Sequence, residues 1–377
     1  MINKKTFCMA PFKAALIDKD GGMMPCCEYM PAQPRQTLTK VNNINQWWTV
    51  DLENLRNDMR EGRRNPGCHH CYNKEKNPSY DSMRQHFNSF YNTQNINLIG
   101  DIDYIEIRLS NYCNLKCIMC GPYASSSISQ EYKKYENEYK DIGIVMSPEE
   151  TIRWWDDTDT LDRVKTIIAN VSSINFVGGE PLIVPEVINL LNALDSTRIK
   201  KISFNTNLTR VSDNFLLTIS KFRFVDICVS LEGYGIHNDY IRFGSKWNDI
   251  ENNIKKLIEL KNVRLSINHV LQHTSIFSLP DLIKFAGSIN LLIKLNNIYV
   301  GPNPDDGMLT LNSVAQEDID TFNSWLETYQ GRYKSMLQNW INTYNFNKEL
   351  QIKFNNYTNL LDSIRGCNFK RTFKNTA

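Results

Sequence analysis

No apolar run in these 377 residues approaches the ~18 that a membrane span needs. An excess of charge of one sign is missing too: 43 Lys and Arg face 41 Asp and Glu, for a formal charge of +2. So even a balance argues against a dedicated non-specific nucleic-acid binder and leaves only local basic grooves. Met1-Ile2-Asn3-Lys4-Lys5 leads into no clean apolar segment, so no secretory signal is expected and the default compartment is the cytosol. Internal repeats and low-complexity tracts are lacking. With 41% hydrophobic and 22% charged residues the chain reads as globular, long enough for two or three domains and for a core without disulfide staples.

What stands out is cysteine. There are ten, and eight fall within the first 120 residues: Cys8, Cys26, Cys27, Cys68, Cys71, Cys113, Cys117 and Cys120; Cys228 and Cys367 stand alone. In a long chain with no signal peptide they point to metal binding or catalysis rather than to disulfides.

Residues 1–78 read as a small cysteine-bearing module. A strand over Ala14–Asp18, a turn at Asp20-Gly21-Gly22 and a return to Cys26-Cys27 form a hairpin. A helix is expected over Asn45–Glu61, where Trp48, Leu52, Leu55 and Met59 share one face and Gly62 can end it. Residues 79–102 read as a linker. From 103 to 301 strands alternate with helices. The strands are Tyr104–Leu109, Ser173–Val177, Lys201–Asn205, Asp226–Leu231, Arg264–Leu271 and Leu295–Val300. Helical patterns cover Pro185–Leu194, Asp213–Lys221, Asp249–Leu260 and Pro280–Ala286, with Pro at the start of the first and last. The expected fold is α/β: a partial (β/α)6 TIM-like barrel of parallel strands, several of them apolar as expected when both faces are covered, with a small N-terminal cysteine-bearing module. Its chemistry would sit at the C-terminal strand ends. Residues 302–377 read as a C-terminal helical extension whose aromatics pack onto the barrel.

Directly after the first of these strands comes Cys113-Asn114-Leu115-Lys116-Cys117-Ile118-Met119-Cys120, a C-x3-C-x2-C loop. Three thiolates suit a cubane iron–sulfur cluster with one iron left open. A zinc site completed by a distant ligand such as His69 or His70 is the alternative.

This loop resembles the cluster loop of the radical S-adenosylmethionine (SAM) superfamily, with Met119 where that family usually has an aromatic. Gly178-Gly179-Glu180 at the end of the second strand is similar to the family's Gly-Gly-Glu motif. Two glycines let backbone approach a ligand, and a carboxylate receives the methionine ammonium. Asn205 and Asn207 end the third strand, where the family places ribose-binding polar groups, and Ser230 ends the fourth. His237-Asn238-Asp239-Tyr240-Ile241-Arg242 resembles the H-D-x-x-R stretch, which implies that Arg242 pairs the SAM carboxylate.

The N-terminal set, Cys8, Pro25-Cys26-Cys27 and Cys68-x2-Cys71 around a helix with Leu55-Arg56, resembles the twitch relative of the SPASM domain. That resemblance implies an auxiliary [4Fe–4S] cluster on Cys8, Cys26, Cys68 and Cys71. Cys27 is then the spare, although the sequence does not rank it against Cys26. Here the module precedes the barrel, whereas the known ones usually follow it. A four-Cys zinc ribbon has the same spacing. His69 and His70 read as surface or supporting residues, and Cys228 as a small buried core residue.

The resemblance implies a radical SAM enzyme that reductively cleaves SAM to a 5′-deoxyadenosyl radical and abstracts a substrate hydrogen. The net result would be oxidation or modification of a peptide or protein side chain, or dehydrogenation of a small alcohol or amino sugar. It also implies an external one-electron donor such as flavodoxin or ferredoxin. Candidate acid–base groups are Glu232, His237, His269, Asp305 and Asp306, each with a simple core or solvated role as the alternative. Arg60, Arg63 and Arg64 read as the C-terminal end of a helix rather than a nucleic-acid patch. Two readings of other classes remain: a zinc-stapled binding protein without catalysis, and a disulfide oxidoreductase built on Cys68-x2-Cys71.

Overall fold

The computed structural model describes residues 5–30, 46–76, 82–91, 100–298 and 307–374. Its main sheet has eight strands: β1 (Ala14–Ile17), β2 (Met23–Met24), β3 (Tyr104–Arg108), β4 (Ser173–Val177), β5 (Lys201–Thr206), β6 (Val225–Ser230), β7 (Val263–Leu271) and β8 (Leu292–Asn297). They lie in the order β8-β7-β6-β5-β4-β3-β1-β2. From β3 to β8 spatial order follows chain order, as a (β/α)6 part-barrel requires. Helices Glu186–Asn192, Asp213–Ile219, Trp247–Ile258 and Ser275–Ser288 connect successive strands. The last begins five residues before Pro280, which therefore lies inside the helix rather than at its start. β8 begins three residues earlier than the apolar pattern suggests, and residues 299 and 300 lie outside the described residues.

The chain divides into two compact units, Met1–Ser110 with Thr151–Asn205 and Ser212–Asp226, and Asn111–Glu150 with Thr206–Val211 and Ile227–Ala377. In the first unit the N-terminal hairpin is not apart from the sheet. β1 runs parallel to β3, with Ala14 opposite Tyr104 and Ile17 opposite Ile107, and β2 pairs antiparallel to β1. The physical reason lies in Ala14-Ala15-Leu16-Ile17: all four side chains are apolar and buried, which suits a strand with a neighbour on each side. At the hairpin turn, Asp18 N–H donates to the Gly22 carbonyl and Asp20 accepts from Gly22 N–H.

The strands of this unit also correct the expectation of apolar strands covered on both faces. In β3, Ile105 and Ile107 are buried while Tyr104, Glu106 and Arg108 are only half-buried. β4 buries Ile174 and Phe176, and β5 buries Ile202 and Phe204, whose ring stacks on Phe176 at 5.2 Å. The alternation has period two, so each strand gives one face to the core and the other to polar groups. Register aligns Glu106 with Asn175 and Asn175 with Ser203, so the polar face forms rows across the sheet.

The expected helix over 45–61 is two pieces, a π-helical turn at Trp47–Asp51 and an α-helix at Glu53–Glu61. Trp48, Leu52, Leu55 and Met59 are all buried, and Gly62 closes the helix with φ +72°. Arg56 is buried as well. Its Nε donates to the Pro11 carbonyl at 2.8 Å, its Nη1 donates to the Trp48 carbonyl, and its guanidinium lies 4.5 Å over the Trp48 ring. Burial pulls its pKa down to about 10, partly offset by Glu53.

β4 runs out into Gly178-Gly179. Gly178 has φ +125°, and a Cβ there would lie 2.8 Å from the Ser110 carbonyl oxygen, which accepts the Gly179 N–H at 2.7 Å.

In the second unit, Ile118, Tyr132, Ile241, Phe354, Tyr357, Leu361 and Phe369 belong to one apolar cluster. Helix Lys348–Arg365 supplies three of these; Phe354, Tyr357 and Leu361 fall on one helical stripe.

Two substitutions follow from this packing. Arg56→Ala should destabilise the protein by about 3 kcal/mol, because two buried carbonyls lose their donor, and Arg56→Lys should recover only part of it; urea unfolding reads both. Gly178→Ala should cost at least ~1 kcal/mol through backbone strain, well beyond Gly143→Ala, whose added Cβ meets nothing within 4 Å although its φ is +81°.

Candidate active site

The second unit holds the cysteine loop, and the loop is tied down before any ligand is considered. Asn111 donates Nδ2 to the Pro122 carbonyl at 2.9 Å and accepts the Ser126 N–H on its own carbonyl at 2.7 Å. The Cys113 carbonyl accepts from Ser127 Oγ at 2.7 Å, and the Cys113 N–H donates to Ser126 Oγ at 3.2 Å. Lys116 and Cys117 pair antiparallel with Phe243 and Arg242. This short ladder brings a cationic side chain next to a sulfur.

Arg242 is the centre of that arrangement. Its Nη2 donates to Glu232 Oε1 at 2.7 Å, its Nη1 lies 3.7 Å from Cys117 Sγ, and its buried Nε has no hydrogen-bond partner among the described residues. Burial works against the charge, but Cys117 and Glu232 more than compensate and hold the guanidinium protonated. A hydrogen bond from the Cys120 thiol, helped by Arg242 and against the effect of burial, lowers Cys117 to about 7; the same bond and burial push Cys120 up. Asn207 reaches the third thiol, with Nδ2 4.0 Å from Cys113 Sγ and 3.1 Å from Asn114 Oδ1. Three thiols, one of them drawn toward the thiolate form by a neighbouring thiol and then by a fixed cation with a spare N–H, are a donor set that can hold an iron–sulfur cluster.

The first unit holds the other set. Burial raises the thiols of Cys8 and Cys68, the latter to about 12, and those of Cys26 and Cys71. Cys8 is raised further by Cys68 and Cys71, and Cys26 by Cys8, Cys27 and Cys71, so these sulfurs share one buried neighbourhood with Cys27 at its edge. Cys27 differs: after burial, its main neighbours are Glu106 and Arg108 of the polar face. Arg84 sits beside the four-thiol group, donating Nη1 to the Phe7 carbonyl at 2.9 Å and paired with Glu75. Among the described residues, no three His, Cys, Asp or Glu side chains are drawn around a single point as for one bound ion.

On the polar face, Arg108 Nη1 lies 3.4 Å from Asp18 Oδ1, its Nε lies 3.3 Å from Glu106 Oε1, and Asn175 Nδ2 donates to Glu106 Oε2 at 3.2 Å. Arg108 keeps 31% of its side chain exposed. These residues went unread as a site in the sequence, although the Tyr-Ile-Glu-Ile-Arg alternation marks them. Tyr357, Glu131 and Arg365, described below, carried no such signal.

The remaining candidates fall as follows. Glu180 is buried and its carboxylate accepts from Leu182 N–H, capping the turn at Pro181–Ile183. Asn205 is exposed, Ser230 is half-buried, and Met119 packs against the apolar cluster. Glu232 is fully buried and also accepts the Val270 N–H. His269 is equally buried, its ring nitrogens on the Leu231 carbonyl and Ser275 Oγ. His237 contacts the Thr372 carbonyl and stacks on Phe373. Burial holds both histidines below the usual imidazole range. Asp305 and Asp306 lie outside the described residues. His69 meets the Pro66 carbonyl, and His70 lies 3.7 Å from Glu28. Arg60 and Arg63 pair with Glu53 and Asp58, and Arg64 lies over Tyr72. Cys228 is buried, with Ser266 Oγ at 3.5 Å and Lys294 Nζ at 3.7 Å, and Cys367 contacts Asp362. No described helix is long and apolar enough to cross a membrane.

Residues 107–286 match the model of the Radical SAM superfamily. A probable GTP 3′,8-cyclase of Methanocaldococcus jannaschii is 26% identical over 198 residues, which are 52% of this chain and 58% of that protein, less than two thirds of its length. Among solved structures, anSMEcpe with bound AdoMet is 17% identical with a TM-score of 0.41 over 60% of each chain. SuiB of Streptococcus suis bound to its precursor peptide SuiA is 16% identical with a TM-score of 0.41, over 87% of this chain and 69% of that one. The cysteine loop, the glycine pair and Arg242 all fall inside the matched segment, and it is to the Radical SAM superfamily that this part of the chain is similar.

Proposed function

We propose that Cys113, Cys117 and Cys120 hold a [4Fe–4S] cluster, that Cys8, Cys26, Cys68 and Cys71 hold an auxiliary one, and that the enzyme oxidises or otherwise modifies a peptide or protein side chain. When bound, the first cluster supplies the electron that splits SAM into methionine and a 5′-deoxyadenosyl radical, which takes a hydrogen atom from the substrate. The observation that carries this reading is the guanidinium of Arg242 shared between Cys117 and Glu232. It places a fixed cation 3.7 Å from a sulfur of the loop inside the protein, where a charged ligand set needs a counter-charge. Met119, Gly178, Gly179, Glu180, Asn205, Asn207, Ser230 and Arg242 are the residues we assign to SAM. The spare Nε of Arg242 is a donor for its carboxylate.

The choice of Cys26 over Cys27 rests on their neighbours: Cys8, Cys27 and Cys71 all act on Cys26, whereas after burial the main groups acting on Cys27 are Glu106 and Arg108. Four thiolates would leave the auxiliary iron without an open position, so its part is to take up an electron rather than to ligate substrate. The peptide class rests on analogy with other members of the superfamily. The polar face of β3–β5 also favours a second reading, dehydrogenation of a small hydroxyl-bearing molecule, because a carboxylate, an amide and a hydroxyl stand in one row there.

Anaerobic reconstitution with iron and sulfide, followed by SAM cleavage with reduced flavodoxin as donor, tests the reading. Iron in two clusters and formation of 5′-deoxyadenosine are expected. Cys117→Ala should abolish cleavage, Cys26→Ala should remove the iron of one cluster, and Cys27→Ala should leave both. Tightly held zinc at either set in place of iron overturns it.

A further inference from the structure

Helices Lys348–Arg365 and Phe369–Phe373 lie beyond the matched radical SAM segment, yet they reach the cysteine loop by side chains that carry specific hydrogen bonds. Tyr357 donates its hydroxyl to the Ile118 carbonyl at 2.9 Å, and the Ile118 N–H donates to the Ile241 carbonyl at 2.9 Å. The residue after Cys117 is thus held at both its polar groups. Arg365 grips Glu131 with Nη2 at 2.7 Å from Oε1 and Nε at 3.2 Å from Oε2, and Lys116, the residue before Cys117, reaches Glu131 Oε2 at 3.1 Å. Both members of the Arg365–Glu131 pair are almost wholly buried. Burial opposes the Glu131 charge, but Arg365 and then Lys116 hold its carboxyl below the usual range.

The partner strand of the loop is held from the same side. Helix Ile236–Ile241 leads directly into Arg242. Tyr240 donates to Asp362 Oδ1 at 2.9 Å, and His237 meets the Thr372 carbonyl and stacks on Phe373. Asp362 Oδ2 in turn accepts the Phe369 N–H at 2.8 Å. Both strands of the ladder that joins Cys117 to Arg242 are therefore fixed by residues 357–373.

From this we infer that the C-terminal helices are a working part of the SAM-cluster site, with Tyr357 and Arg365 as positioning residues that set the Cys117–Arg242 contact. Helical packing alone needs only the apolar stripe; it does not need a phenol aimed at one carbonyl of the cluster loop or a buried fork on Glu131. The inference rests on the proposed assignment of Cys113, Cys117 and Cys120 to the cluster.

Tyr357→Phe in the full chain is the direct test, because it removes one hydroxyl and leaves the ring in place. Amide hydrogen exchange in the segment 113–120 should quicken roughly fivefold, while helix Asp213–Ile219 keeps its protection. In the reconstituted enzyme iron content should stay unchanged. The electron paramagnetic resonance signal of the reduced SAM-binding cluster should shift, and SAM cleavage should slow by roughly tenfold. Arg365→Met should give larger changes of the same kind, with partial recovery in Arg365→Lys, which keeps the charge but not the fork. Wild-type exchange in 113–120 together with a wild-type cluster signal in Tyr357→Phe would overturn the inference. The exchange comparison also runs on the cofactor-free chain. A wild-type protein that builds no cluster on the loop therefore counts against the cluster assignment, while the exchange result still decides the clamp.

Discussion

A buried guanidinium has to be surrounded by negative groups or it does not stay buried. In the second unit Arg242 meets that demand with Glu232 on one side and Cys117 on the other. Each partner brings further constraint. Glu232 is locked by the Val270 N–H at the last strand but one, and Cys117 belongs to a two-residue ladder that can form only where Arg242 and Phe243 leave their helix. Removing the cation would strand a carboxylate with no solvent access and release the sulfur it draws toward ionisation. The Cys117–Arg242 contact thus joins the electrostatics of the loop to the ladder that positions it.

The first unit solves a different problem. Burial favours the protonated forms of Cys8, Cys26, Cys68 and Cys71, and repulsion among these thiols adds to it. Arg84 supplies part of the compensation, and its own charge is balanced by Glu75. The fifth thiol, Cys27, lies instead by Glu106 and Arg108.

Most of the strand–helix alternation was legible, because periods of two and 3.6 are local properties. The C-x3-C-x2-C loop, the glycine pair and Arg242 were legible as motifs for the same reason. What escaped was of two kinds. The polar face of β3–β5 was visible in Tyr104-Ile105-Glu106-Ile107-Arg108 but was read by composition rather than by alternation. The pairing of β1 with β3, and the reach of Tyr357 to Ile118 across 239 positions, have no local signature at all. An apolar tetrapeptide or a helix stripe shows that something will be covered, not what will cover it. Glu232 and His269 looked like candidate bases because charge and imidazole near strand ends invite that reading; their complete burial in hydrogen bonds is a tertiary fact.

The parallel pairing of β1 with β3 sets an order of events during synthesis. A parallel neighbour cannot be reached by a tight turn, and here the two strands are separated by the whole stretch that carries Cys26, Cys68 and Cys71. The hairpin that bears Cys8 at its approach therefore finds its permanent place only after the ribosome has released residues 104–108. Until then β1 keeps an open edge on the side that β3 will cover, with backbone groups that only this later pairing can satisfy.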